Sequence, residues 1–134
     1  MSEYPGLRPG LTGETSVTVT EDLTATALGS GSVQVYSTPA LVALLEAAAI
    51  EALAGHLPDG MTTVGIRVDV RHLAATPVGQ TVTARATLRE VDGRWLVFDV
   101  AAQDPVEPVA EGTHERFIVD RARFESRAAA KATS

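Results

Sequence analysis

The stretch 39–54, PALVALLEAAAIEALA, decides the fold of this chain. It predicts a helix with alanine, leucine, valine or isoleucine on nearly every side. Thr38 is the predicted N-cap, Pro39 suits the first helical position and Gly55 suits the C-terminal end. A helix that is apolar all round has to be enclosed by other structure, and in a chain of 134 residues that enclosure is a sheet.

Alternation of apolar and polar residues predicts strands on both sides of this helix. The predicted strands are 15–23 before the helix and 63–73, 80–91, 94–103 and 110–120 after it, with a hairpin turn at Asp92-Gly93. We therefore expect an α+β fold in which a curved antiparallel sheet wraps around one long central helix. Because such a sheet has a second face and open edges, we also expect a homodimer.

The whole chain, 1–134, is predicted to be a single domain. Glycine and proline in 1–13 indicate an irregular lead-in, GSGS at 29–32 indicates a mobile loop over 24–36, and 121–134 is expected to be a short exposed helix or a fraying tail.

Composition restricts the partners and the chemistry. A net charge of −6 argues against a nucleic-acid partner. No apolar run reaches membrane-spanning length, and the N-terminus lacks the features of a secretion signal, so no membrane partner and a cytoplasmic location are expected. The absence of cysteine excludes disulfides and a cysteine nucleophile. The three histidines have no metal-ligand spacing, so neither a metal nor another cofactor is expected.

Three residues stand out as candidates for catalysis. Glu46 lies among apolar helical neighbours, where a carboxylate needs either hydrogen-bonding partners or a role as general base or nucleophile. His72 shares a predicted strand face with Val68 and Val70, and is either a satisfied core histidine or a proton carrier. The Thr38 hydroxyl either caps the helix or contacts a reacting group, and these two roles compete for one oxygen.

Three segments together resemble the hot-dog thioesterases, in the branch that includes fluoroacetyl-CoA thioesterases. They are TPALVALLEAAAIEAL at 38–53, VGIRVDVRHLAATPVGQTVT at 64–83 and EGTHER at 111–116. The resemblance implies a hot-dog fold and the metal-independent hydrolysis of a short or small acyl-CoA to the free acid and CoA. It also implies a homodimer with acyl-CoA at the subunit interface.

The resemblance assigns site residues as well. It implies that Thr38, Glu46 and His72 are catalytic and that Gly65 and Arg116 contact the substrate. From the residues alone, Gly65 is equally explained by a β-bulge, and simple alternation puts it on the face opposite His72 unless a bulge intervenes. Arg116 is equally explained as a surface residue paired with an acid.

One segment departs from the family pattern. The lid before the catalytic threonine carries a phenylalanine in fluoroacetyl-CoA thioesterases, whereas 24–38 is shorter here and contains no phenylalanine. We therefore expect hydrolysis of small acyl-CoAs in general, without selectivity for fluoroacetyl-CoA.

Two other functions stay open. The first is a binding protein that holds an acyl-CoA or a small hydrophobic ligand without turning it over. The second is a hydratase, which needs an inward Asp–His pair, and Asp69 falls on the strand face opposite His72.

Overall fold

Five strands and three helices make up most of residues 3–133, the part of the chain that the computed structural model describes. In chain order they are β1 (Thr12–Thr18), α1 (Ala25–Leu28), α2 (Thr38–Leu53), β2 (Met61–His72), β3 (Thr81–Asp92), β4 (Trp95–Gln103), β5 (Pro108–Asp120) and α3 (Arg121–Ala130). The long helix and the four later strands agree with the predicted segments to within two residues at each end. Part of the predicted tail is a helix with an exposed surface, as expected.

The strands form one antiparallel sheet in the order β1-β3-β4-β5-β2, which leaves β1 and β2 at its edges. Helix α2 packs against one face, the inner face. Alternate residues of β3 and β4 point at it and are buried because they complete the core; they include Val82, Ala84, Leu88, Leu96 and Phe98. The predicted α+β fold with a sheet curved around one helix is therefore confirmed.

One side of α2 is not enclosed within the protomer. Ala43, Glu46, Ala47 and Ile50 follow each other at helical spacing and are exposed or half-buried, and Ile50 is 52% exposed. Within the protomer, the enclosure expected for this helix is missing on this side, which we call the open stripe. It lies next to β2, whose outer edge has no neighbouring strand within the described residues.

The N-terminal third differs from the prediction in the position of its first strand and in the structure of its loop. The first strand begins at Thr12 and ends at Thr18, so the predicted strand at 15–23 is displaced. The described part of the lead-in is irregular as predicted, and it nevertheless contributes Tyr4 and Leu7 to the core. The predicted loop at 24–36 contains α1, and its ends are joined by a bridge between Thr24 and Tyr36, both of which are buried.

Within residues 3–133, no helix has the length and apolar character needed to cross a membrane.

Candidate active site

The start of α2 brings Thr38 and His72 together. The Ser37 side chain, not that of Thr38, caps the helix, since its oxygen accepts a hydrogen bond of 3.2 Å from the backbone N–H of Ala40. The predicted N-cap is therefore wrong by one residue. Because Ser37 satisfies the helix end, the Thr38 hydroxyl is released to make a 2.9 Å hydrogen bond with Nδ1 of His72 at the end of β2.

His72 is held as a neutral imidazole with one unused nitrogen. Burial lowers the pKa of His72, and the Ala74 backbone offsets part of this effect without forming a well-aligned hydrogen bond to Nε2. Nε2 is buried and has no hydrogen-bonding partner within the described residues. A buried ring nitrogen without a partner is costly, so this atom is suited to meet a water or a substrate atom.

Glu46 is fixed from one side by Arg116. Nη1 of Arg116 donates a hydrogen bond of 3.2 Å to Oε2 of Glu46, while Oε1 has no partner within residues 3–133. The apolar neighbours of Glu46 predict a buried carboxylate, but its side chain is 37% exposed in the protomer. Its anchored oxygen and its free, accessible oxygen are the arrangement that a general base or a nucleophile requires.

Arg116 is a buried cation and not the surface residue that one interpretation of the sequence suggested. It is 4% exposed, and its remaining donors are used by Thr63: Nε donates to Oγ1 at 2.8 Å and Nη2 donates to the backbone carbonyl at 3.1 Å. Burial lowers the pKa of Arg116, and the charge of Glu46 opposes that shift. The guanidinium therefore has little freedom to leave Glu46.

His114 completes this group. Its Nδ1 lies 2.8 Å from the backbone carbonyl of Arg67, which can only accept, so Nδ1 carries the proton and Nε2 is left to accept from Nη1 of Arg116 at 3.1 Å. Burial is the largest influence on His114 and lowers its pKa; the neighbouring Arg116 charge acts in the same direction, whereas the Arg67 carbonyl, Glu46 and Glu115 oppose it. A neutral His114 thus orients Arg116.

Gly65 lies directly against this group because β2 contains a bulge. The pairing of β2 with β5 shifts between Gly65 and Arg67, so Ile66 is the extra residue, and Gly65 shares the inner face with His72. A Cβ atom at position 65 would lie 2.5 Å from Oε2 of Glu46 and 3.2 Å from Nη1 of Arg116. The β-bulge interpretation of Gly65 is therefore confirmed, and the bulge places bare backbone against the carboxylate of Glu46. Contact between Gly65 and the substrate stays a prediction.

The structure divides the predicted catalytic set into two groups within one protomer. Thr38 and His72 are in contact, and Glu46, Gly65 and Arg116 are in contact, but Thr38 and Glu46 are eight residues apart on one helix. That separation is about 12 Å along the helix axis at ~1.5 Å per residue. One protomer alone therefore does not place all three catalytic candidates around one small reacting group.

A cavity of about 400 Å³ adjoins the Thr38–His72 pair. The loop before α2 supplies much of its wall through Gly31, Val33 and Val35, and the segment after β2 supplies Leu73 and Ala74. The lining is mainly small and aliphatic, which suits a small acyl group.

Sequence reasoning missed three contributors to the site. No sequence motif identifies Ser37, Thr63 or the Arg67 carbonyl that fixes the His114 tautomer. Ser37 alone was recognisable, because serine is a common capping residue before a helix. His114 lies in the EGTHER segment, but from the sequence it is interpreted only as a structural or supporting residue. Within the described residues, no group of three or more histidine, aspartate or glutamate side chains is placed to hold a metal ion.

Comparison with known proteins gives a consistent result. The model of the fluoroacetyl-CoA-specific thioesterase family matches residues 19–122. The fluoroacetyl-CoA thioesterase of Streptantibioticus cattleyicolor is 40% identical over 94 residues, which cover 70% of this chain and 68% of that protein. The chain belongs to the fluoroacetyl-CoA-specific thioesterase family.

Solved structures agree with this family assignment. The fluoroacetyl-CoA thioesterase FlK superimposes with a TM-score of 0.88 at 34% identity, covering 93% of this chain and 97% of that chain. A hot-dog-like protein from Thermanaerovibrio acidaminovorans superimposes with a TM-score of 0.86 at 29% identity, covering 98% and 97% of the two chains. The predicted hot-dog fold and the predicted class of thioester hydrolase are confirmed.

Proposed function

We propose that this protein hydrolyses the thioester of a short or small acyl-CoA to the free acid and CoA, with Thr38, Glu46 and His72 as catalytic residues. The observation that carries the proposal is the Glu46 carboxylate, which has one oxygen anchored by the buried Arg116 and the other free on an accessible surface. Family membership supports the reaction class, because the named relatives act on fluoroacetyl-CoA.

The chemistry follows from the two groups. In one route the free oxygen of Glu46 takes a proton from a water that attacks the thioester carbonyl, and CoA leaves as the thiolate. In the other, this oxygen attacks the carbonyl carbon itself and expels the CoA thiolate, which gives an anhydride that water then opens. Nε2 of His72, with Thr38 fixing the ring through Nδ1, contacts the thioester or the attacking group. The N-terminal end of α2 lies beside this pair, and its dipole favours the negative charge that develops on the carbonyl oxygen.

We further propose that the protein works as a homodimer joined along the edge of β2. Three features support this: β2 is a long edge strand, the open stripe of α2 lies beside it, and Ile66 and Val68 on β2 are 51% and 40% exposed. Ile50→Glu on the open stripe is expected to give monomers in light-scattering measurements of mass. Val106→Glu is the matched control, because Val106 is also exposed but lies between β4 and β5.

Such a dimer would join the two halves of the site across the interface. In antiparallel pairing of two β2 strands about their midpoints, the partner's Gly65 lies beside position 68, four residues from His72, whereas the protomer's own Gly65 is seven residues away. At ~3.3 Å per residue these separations are about 13 Å and 23 Å. We therefore propose that Thr38 and His72 act together with the partner's Glu46.

Mixing two inactive variants tests this arrangement. Protomers carrying Glu46→Ala and protomers carrying His72→Ala would exchange to form mixed dimers with one intact site if the residues act across the interface. Recovered hydrolysis supports the proposal. Mixed dimers that form but remain inactive would show that each site is built within one protomer.

The reaction itself is tested by measuring free CoA with a thiol reagent over a panel of acyl-CoAs. Glu46→Gln is expected to lower kcat/KM by about 100-fold or more, since general-base contributions are ~10²–10⁴-fold. Glu51→Gln is the matched control on an exposed position of the same helix. Full activity of Glu46→Gln would contradict the mechanism, and tight binding of acyl-CoA without thiol release would favour the binding protein instead.

The structure argues against the hydratase alternative, because Asp69 is not placed to act with His72. Asp69 is paired with Arg67 at 3.3 Å and its side chain is 67% exposed, so it does not face His72. The cytoplasmic location and the loss of fluoroacetyl selectivity stay predictions.

A further inference from the structure

A second pocket lies on the outer face of the sheet, where β2 begins and α3 packs against β5. Its volume is about 280 Å³. We call it the arginine pocket, because three arginines and two phenylalanines line it: Arg94, Arg123, Arg127, Phe117 and Phe124.

The arginine pocket is a positive site in an acidic protein. The chain has a net charge of −6, yet three guanidinium groups converge here. Arg94 has only a 3.8 Å ion pair with Glu3, and Arg123 and Arg127 have no ion pair among residues 3–133. The one acid in the lining, Asp120, has Oδ1 accepting the 3.0 Å hydrogen bond that caps α3. The guanidinium groups are therefore available to an anion from solution.

The aromatic residues add a second kind of recognition. Phe117 and Phe124 are 37% and 45% exposed, which is unusual for rings that have a nearby core to join. Planar guanidinium groups match phosphate oxygens, and exposed aromatic rings stack on nucleic-acid bases. Together they suit a ligand that carries several phosphates and a purine.

The arginine pocket shares one lining residue with a cavity that extends toward the proposed catalytic group. Met61 lines the arginine pocket and also a cavity of about 490 Å³ along the C-terminal end of α2. That cavity extends to Thr63, which holds Arg116. The path from Gly65 to Met61 is four residues of β2, about 13 Å at ~3.3 Å per residue, and then turns around the start of the strand to the outer face. A flexible pantetheine arm suits such a path.

We propose that the arginine pocket binds the nucleotide end of the acyl-CoA substrate, a 3′-phosphorylated ADP, with Arg123 and Arg127 contacting phosphate and Phe124 stacking on adenine. This inference rests on the proposed function, since it takes the substrate to be a CoA thioester. It assigns to α3 a role in substrate binding that is separate from the hydrolysis step.

The experiment compares two substrates that share a thioester but differ in the nucleotide. KM and kcat are measured for an acyl-CoA and for the corresponding acyl-pantetheine, with wild type, the double variant Arg123→Ala/Arg127→Ala, and Arg121→Ala as control. Arg121 lies on the same exposed helix but does not line the pocket. Because these positions are exposed, none of the variants disturbs the core.

The double variant is expected to raise KM for acyl-CoA about tenfold, to leave kcat unchanged, and to leave both constants for acyl-pantetheine unchanged. The wild-type KM for acyl-CoA is also expected to rise with ionic strength. An unchanged KM for acyl-CoA, or an equal rise for both substrates, would overturn the proposal while leaving the hydrolase assignment intact.

If no thioester is hydrolysed, the proposed function fails and the pocket is tested alone. Calorimetric titration with adenosine 3′,5′-bisphosphate then decides: a Kd about tenfold weaker in the double variant supports the nucleotide site. Absence of binding to the wild type, or equal binding to both proteins, overturns it.

Discussion

Gly65→Ala is the substitution that most directly tests the geometry of the Glu46–Arg116 group. The new methyl group would lie 2.5 Å from Oε2 of Glu46, whereas ordinary contact begins at 3.4 Å, so the carboxylate has to move by about 0.9 Å. Arg116 cannot follow, because Thr63 holds its Nε and Nη2. The 3.2 Å hydrogen bond between Arg116 and Glu46 is then expected to exceed normal hydrogen-bonding distance.

The expected effect is large on catalysis and small on stability. Displacing a reacting group by ~1 Å costs about 100-fold in rate, or about 2.7 kcal/mol of transition-state stabilisation. The exposed end of the Glu46 side chain moves easily, and alanine restricts the unfolded chain more than glycine does, which stabilises by ~0.4–1 kcal/mol. The free energy of unfolding is therefore expected to change by less than about 1 kcal/mol.

The assay is a double-mutant cycle on kcat/KM for thioester hydrolysis, with Gly65→Ala, Glu46→Ala and the double variant. If the methyl group acts by displacing Glu46, the double variant hydrolyses as slowly as Glu46→Ala and no slower. Wild-type activity in Gly65→Ala would refute the reasoning. So would losses that multiply in the double variant, since Gly65 would then act independently of the carboxylate.

Three further results are expected. Ser37→Ala should lower the free energy of unfolding by ~1 kcal/mol in urea titrations and leave kcat/KM unchanged. Thr38→Val should lower kcat/KM at least tenfold with little change in stability. The reverse outcome would show that Thr38, and not Ser37, caps the helix. The pKa of His72 lies below its ordinary value of 6.5, so kcat/KM should be level near neutral pH and fall as acid protonates the ring, and a rise in acid would contradict a neutral imidazole. His114 also has a lowered pKa, so as the pH falls the unfolded chain binds a proton before the folded chain does, and the free energy of unfolding should decrease below pH 6.5. His114→Gln should reduce this pH dependence, and its side chain still offers Arg116 an acceptor. An unchanged pH dependence would mean that other groups cause it.

Several elements and candidate residues were predictable from local sequence. The apolar run of α2, the alternation along β3, β4 and β5, and the Asp92-Gly93 turn all report short-range preferences that the folded chain keeps. Glu46 was identifiable because a carboxylate conflicts with its apolar neighbours. The role of Arg116 and the reaction class came from the family resemblance, because hydrophobic periodicity carries no information about either.

The alternation along β2 gave the wrong face for Gly65, because a bulge adds one residue without changing the composition of the strand. Simple alternation puts Ile66 on the same face as His72, but Ile66 is the extra residue of the bulge and is 51% exposed. This single shift turns Gly65 toward Glu46.

By itself, the sequence determined which segments form strands and a helix, and which residue types carry unusual chemistry. Only the tertiary structure decided that Ser37 caps α2 in place of Thr38, that Arg116 is buried, and that His114 accepts from Arg116. The physical reason is that a contact distant in sequence lies behind each of them. Thr38 hydrogen-bonds to His72 across 34 residues and leaves the cap to Ser37, and Arg116 meets Glu46 across 70 residues. The Arg67 carbonyl that fixes the His114 tautomer lies 47 residues away. Local sequence preference determines the helix or strand on which a side chain lies, and tertiary packing determines which atoms that side chain contacts.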